Sequence, residues 1–296
     1  MAPSLPPTYG HTFTPTTHST IPPNLTPTAY KLPTPTIVAI TGAGKGLGYH
    51  ISLAYALAGC TGLSISSRTM SDLDNLETAL LDINPKLAVL KTVCDTQDEG
   101  SVKALAEEVR RKWGRVDVVK DGGGSGPNLP VGLLEDSDWA RVLDINLLGT
   151  WRISKAFLPL LIQSKDGPQT LICSTSLAAH STSSHLCPIA YNISKLACNR
   201  LIEHIANDHG AEGVCAYALH PGAVLTPQTR GHRGEAWGEL LSDDERLAGA
   251  MCVWLSGEKR AWLSGRYVSC NWDVGELEAK KTQIVQEDLL KFRMAV

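Results

Sequence analysis

The chain is predicted to be a doubly wound α/β protein: a seven-stranded parallel sheet in a single domain, with helices on both faces. Three observations predict it. Seven short β-branched runs recur along the chain, segments with helical spacing of apolar residues separate them, and a glycine-rich turn joins the first run to the first helix. With 296 residues, 43% hydrophobic and 19% charged, the chain is long enough to bury one large core.

The strand runs are "TIVAI" (36–40), "GLSIS" (62–66), "LAVLKTV" (87–93), "VDVV" (116–119), "TLICS" (170–174), "VCAYALH" (214–220) and "RYVSC" (266–270). Periodicity predicts helices over 46–58, 71–83, 98–113, 136–163, 188–209 and 243–256, then a polar C-terminal helix over about 275–291. This alternation describes a Rossmann-like sheet occupying residues 36–296. Residues 1–35 hold nine prolines among many threonines, too few apolar groups to build a core. Such an arm is expected to be disordered or to lie across a neighbouring subunit.

A net charge of −3 gives no general attraction to nucleic acid or acidic membranes, so a small-molecule partner is expected. The eight cysteines show no C-x-x-C pair and mostly fall in apolar segments, as reduced, buried thiols do. A reducing compartment and no structural metal follow as expectations. There is no apolar run of membrane-spanning length and no secretion signal, which points to a cytoplasmic protein.

"TGAGKGLG" (41–48) directly follows the first strand and opens the first helix. Glycines there let backbone and a helix N-terminus approach a pyrophosphate. A kinase-type phosphate loop is disfavoured because Gly46, rather than Ser or Thr, follows Lys45. "YNISK" (191–195) places Tyr191 and Lys195 four residues apart on one helical face, where an ammonium can lower the pKa of a phenol.

The spacing Thr41, Gly42, Gly46, Gly48, followed in order by Tyr191 and Lys195, resembles the short-chain dehydrogenase/reductase family, of the classical type. "RYVSCNWDV" near the C-terminus is similar to endings of fungal members. The resemblance implies an oxidoreductase that reduces a carbonyl, or oxidises a secondary alcohol, of a small organic molecule. Tyr191 is then the acid/base, Lys195 also binds the nicotinamide ribose, and Asn146 anchors a proton relay. Ser176 is favoured as the hydroxyl that bonds the substrate carbonyl, with Ser174 as the alternative. Leu47 belongs to the phosphate turn. Asp95 matches a position that contacts adenine, with Thr96 beside it. In "HPGAVLT" (220–226), Pro221, Gly222, Val224 and Thr226 match the segment that holds the nicotinamide carboxamide.

At the end of the second strand, Ser67 and Arg68 stand where NAD-binding relatives offer an acidic residue to the ribose. With Lys45, Arg68 favours a 2′-phosphate, so NADP(H) is expected over NAD(H), which stays possible. A substrate lid is expected around 226–242, and His180, His185 and Trp237 are candidates to line the pocket. A homodimer or homotetramer is the expected assembly.

"VVKDGGGSGP" (118–127) departs from the family. Asp121, Gly122, Gly123 and Gly124 replace Asn-Asn-Ala-Gly, so two side-chain amides that would tie the sheet beside the cofactor are absent. Gly122 remains a candidate cofactor contact. Lys120 is expected to leave the sheet early, shortening the fourth strand and pairing with Asp121 or solvent. This departure keeps an alternative open, a cofactor-binding member with isomerase or cyclase activity or with ligand binding only.

Overall fold

The computed structural model describes residues 6–33, 35–122, 137–184, 187–226 and 241–294. Seven parallel strands form its centre: β1 (Ile37–Thr41), β2 (Gly62–Ser67), β3 (Ala88–Val93), β4 (Val118–Asp121), β5 (Thr170–Ser174), β6 (Cys215–His220) and β7 (Arg266–Ser269). Their order is β3-β2-β1-β4-β5-β6-β7. The order reverses between β1 and β4, which opens a crevice at the carboxyl ends of those strands. Buried strand residues feed a core on each face: Val118 and Ile172 face one, Val119 and Leu171 the other.

Among the described residues the helices are α1 (Gly46–Leu57), α2 (Met70–Ile83), α3 (Glu99–Trp113), α4 (Trp139–Leu143), α5 (Gly149–Gln163), α6 (Ile189–His209), α7 (Leu247–Gly257), α8 (Val274–Ala279) and α9 (Lys281–Gln286). α3 illustrates the local logic. Asp98 caps it by accepting from Gly100 N, Arg110 to Lys112 occupy its last turn, and Gly114 leaves it at φ 68°. None of the described helices is long and apolar enough to cross a membrane.

Four expectations are corrected. The helix expected over 136–163 is interrupted: a π-helical turn, Asp144–Leu148, separates α4 from α5 and contains Asn146. The C-terminal helix is split at Lys280 into α8 and α9, and the tail then returns to β7, where Tyr267 N donates to Leu290 O at 2.9 Å. β4 is not cut short before Lys120. That residue pairs with Ile40 of β1 and Ile172 of β5 and is fully buried, because Ser174 and the Asp121 carbonyl accept its ammonium hydrogens inside the sheet.

The fourth correction is the arm, which folds back on its own chain. His18 N donates to Asn271 O, Thr17 bridges Trp272, and His18 Nε2 lies 2.9 Å from Asp273 Oδ2. Trp272 Nε1 donates to Gly10 O, while Leu25 is fully buried in the core packed by α1 and α7. A proline-rich segment loses little extra chain entropy on ordering, so a few such anchors hold it. Leu25→Ala is therefore expected to destabilise the fold by about 2–5 kcal/mol in urea denaturation; an unchanged midpoint would show that the arm is not part of the core.

Candidate active site

The turn after β1 needs glycine for two different physical reasons. Gly42 and Gly46 have φ of 65° and 56°, the left-handed region that side chains avoid. A Cβ on Gly48 would lie 2.2 Å from Gly42 O, so only a bare backbone lets α1 start this close to the turn. The N-terminus of α1 carries no side-chain cap, which leaves its amide hydrogens for an anionic ligand.

These features border a crevice of about 500 Å³. It brings together Gly42, Lys45, Gly46, Leu47, Gly48, Ser67, Arg68, Asp95, Thr96, Gly122 and Thr226 from the sequence-predicted set. Its lining also includes Gly44, Asp72, Gln97 and Arg141, which sequence reasoning missed. Gly44 had a signal, being a further glycine in the same turn; a Cβ there would sit 2.9 Å from Asp72 Cβ. Asp72 had none, and it matters: its Oδ2 lies 3.1 Å from Lys45 Nζ, so that lysine already has a counter-charge. Arg68 is exposed and forms no ion pair among the described residues. Asp95 accepts from Gln97 N, which fixes its carboxylate at the crevice wall.

Asn146, Ser176, Tyr191 and Lys195 do not line that crevice; they gather where β5 ends and delivers the serines. Ser176 caps a short 3-10 turn, Leu177–His180, accepting from Ala178 N, and its hydroxyl is near enough to the Tyr191 phenol to favour the phenolate. Ser174 is engaged elsewhere, its hydroxyl by Lys120 and its carbonyl by Lys195 Nζ at 2.9 Å. Ser174 is thus committed to the two lysines, and Ser176 is the serine that acts on the tyrosine phenol. Lys195 Nζ is 5.7 Å from the centroid of the Tyr191 ring.

Burial pushes the Tyr191 phenol up, against the opposing pull of Lys195, so it is protonated at neutral pH. Burial also works against the charge of Lys195, but Tyr191, the Cys198 and Cys173 thiols and Asp121 outweigh it and hold this lysine above its ordinary value. Asn146 lies in the π turn, and its Nδ2 donates to Ser194 Oγ at 3.0 Å. Ser194 in turn donates to Tyr191 O, linking the amide to the helix that carries the tyrosine.

Thr41 does not line the crevice; its Oγ1 donates to Asp121 Oδ1 at 2.7 Å. Asp121 also accepts from Thr150 Oγ1 at 2.5 Å, so one carboxylate joins β1, β4 and α5 where the family places amides. A Cβ at position 122 would meet Thr41 O at 2.5 Å, which explains glycine there. After β6, Pro221 and Gly222 make a turn with Gly222 at φ 90°, Ala223 N donates to Asp243 Oδ2, and Val224 pairs with Ser242. Most of the expected lid, 227–240 with Trp237, lies outside the described residues, as do His185, Gly123 and Gly124. His180 is enclosed by the rings of Tyr9, Tyr267 and Phe292, and burial takes it down to about 4.

Residues 36–236 match the family model for short chain dehydrogenases. The chain is similar to the short chain dehydrogenase pgmD of Aspergillus terreus, 36% identical over 97% of this chain and 96% of the relative. It is likewise similar to the short chain dehydrogenase mpl6 of Monascus purpureus, 37% identical over 99% and 100%. Among solved structures, a 3-oxoacyl-[acyl-carrier protein] reductase from Brucella melitensis shares the fold, with a TM-score of 0.71 and 22% identity over 83% of this chain and 91% of that one. A seven-stranded doubly wound sheet, a glycine turn without a kinase signature and near full-length fungal relatives agree: this chain belongs to the short chain dehydrogenase family and is an NAD(P)-dependent oxidoreductase acting on small molecules.

Proposed function

We propose that the protein uses NADPH to reduce a carbonyl of a small organic molecule, or runs the reverse oxidation of a secondary alcohol, with Tyr191 as acid/base. The observation that carries this reading is Lys195 beside the Tyr191 ring, its Nζ 5.7 Å from the centroid, with the Ser176 hydroxyl acting on the same phenol. Bound nicotinamide supplies or accepts the hydride. The Ser176 hydroxyl orients the substrate carbonyl oxygen, and Tyr191 gives it a proton. A phenol that burial keeps protonated suits that donation. Lys195 binds the ribose and favours the phenolate that remains. Asn146, through Ser194, steadies the start of α6 and anchors the proton relay.

The cofactor would lie along the crevice, its pyrophosphate at the α1 N-terminus and Gly42, Gly46, Leu47 and Gly48. Asp95, Thr96 and Gly122 would border the adenosine half and Thr226 the carboxamide, with Pro221, Gly222 and Val224 forming the turn that leads to Thr226. The exposed guanidinium of Arg68 supports selection of a 2′-phosphate, with Lys45 shared with Asp72 and Ser67 beside them. Exposed apolar side chains on adjoining helical faces, Leu148 and Trp151 with Ile193 and Leu196, support a homodimer or homotetramer. Eight free cysteines, seven of them buried, support a cytoplasmic location.

Tyr191→Phe is expected to lower kcat for carbonyl reduction by about 10²–10⁴-fold while leaving NADPH affinity unchanged in fluorescence titration; undiminished turnover would contradict the assignment. Arg68→Asp is expected to weaken NADPH binding by about tenfold or more and to spare NADH, because a charge-assisted phosphate contact is lost and a repulsion gained. Equal loss for both cofactors would show that Arg68 does not select between them.

A further inference from the structure

Lys120 is the one charged side chain in the middle of β4, set between Ile40 and Ile172, with no exposure to solvent. Strand pairing does not require an ammonium there, and an apolar residue would avoid the cost of desolvating one. Its Nζ donates to Ser174 Oγ at 2.5 Å and to Asp121 O at 2.6 Å. Ser174 is also held by Lys195, whose Nζ donates to its carbonyl oxygen at 2.9 Å. Two buried ammonium groups therefore meet at one residue, just before Ser176, with the buried Asp121 carboxylate nearby.

We propose that Lys120 is a positioning residue of the hydride-transfer site: through Ser174 it fixes the carboxyl end of β5 against Lys195, and its charge offsets Asp121 around Lys195, the cation beside the Tyr191 phenol. This rests on the reading of Tyr191 as acid/base. Burial pulls Lys120 below its ordinary value, opposed by Cys252 on α7, Asp121 on its own strand and Cys173 on β5, while Lys195 on α6 acts in the same direction as burial. Those facing Tyr191 are Lys195, Cys187, Ser176 and Cys198. Burial pushes the Cys252 thiol up to about 12 and Cys187 up to about 11, so neither supplies a negative charge near neutrality. Cys173 is pushed up by its partner Cys198, whose own thiol is drawn down by that bond, so two lysines and one carboxylate share the cluster with one thiol pair. Removing Lys120 cancels its excess of positive charge, whereas neutralising Asp121 increases it.

The test is the pH profile of kcat/KM for reduction of a reactive α-diketone by NADPH, in which activity falls as Tyr191 loses its proton. Lys120→Met is expected to move that fall upward by on the order of one pH unit, since a phenolate is harder to form beside fewer cations. Asp121→Asn is expected to move it downward, and the double variant to return it toward the parent. Should Lys120→Met not fold, the downward shift in Asp121→Asn still tests the field. Unmoved profiles, or shifts of the same sign in the two single variants, would overturn the proposal. Retained turnover in Tyr191→Phe would instead overturn the acid/base reading beneath it.

Discussion

A carboxylate that water cannot reach must find donors inside the protein, and much of the site is arranged around the donors Asp121 finds. Thr41 reaches it from the strand that feeds the glycine turn, and Thr150 from the helix that follows Asn146. Thr150 also lies 2.7 Å from Asn146 O, so the same hydroxyl touches the backbone of the π turn. Gly122 then passes so close to Thr41 O that no side chain fits. A buried charge is tolerable only when its partners stay in place, which makes Asp121 a strict geometric constraint on β1, β4 and α5 together.

From that junction the functional parts follow along two directions. Toward β2, the sheet end and the uncapped N-terminus of α1 form a crevice with Arg68 exposed in its lining. Toward β5 and β6, the Ser176 turn meets Tyr191, while Leu177 N donates to His220 Nδ1. Burial takes His220 down to about 3, so its ring is neutral and its nitrogen can accept that hydrogen bond. The arm closes this side, with Tyr9 stacked on His180 and Ser19 O accepting from Asp244 N.

The strand and helix pattern was legible because a parallel sheet buries continuous apolar runs and its helices carry one apolar face. The glycine turn and Tyr191 with Lys195 were legible because their spacing is dictated by backbone approach and helical geometry. What the sequence did not reveal depends on long-range contacts. Lys120 reads as a strand breaker until Ser174 is seen opposite it; the arm reads as unanchored until Trp272 and Asn271 are seen to bind it. The π turn was hidden because its five residues have ordinary helical propensity, and what distinguishes it is tertiary: Asn146 bonds Ser194 and Gln97 bonds Asp144. Asp72 was missed because its pairing with Lys45 crosses from the glycine turn to α2.

The central claim is direct hydride transfer at a site formed by Ser176, Tyr191 and Lys195. The measurement that tests it most directly uses NADPH deuterated at C4 of the nicotinamide, one face at a time, with a reactive α-diketone, followed by mass spectrometry of the alcohol. The predicted result is one deuterium bonded to the new carbinol carbon, from one face only, with NADP+ formed in equal amount. An alcohol without deuterium from either labelled cofactor would contradict it.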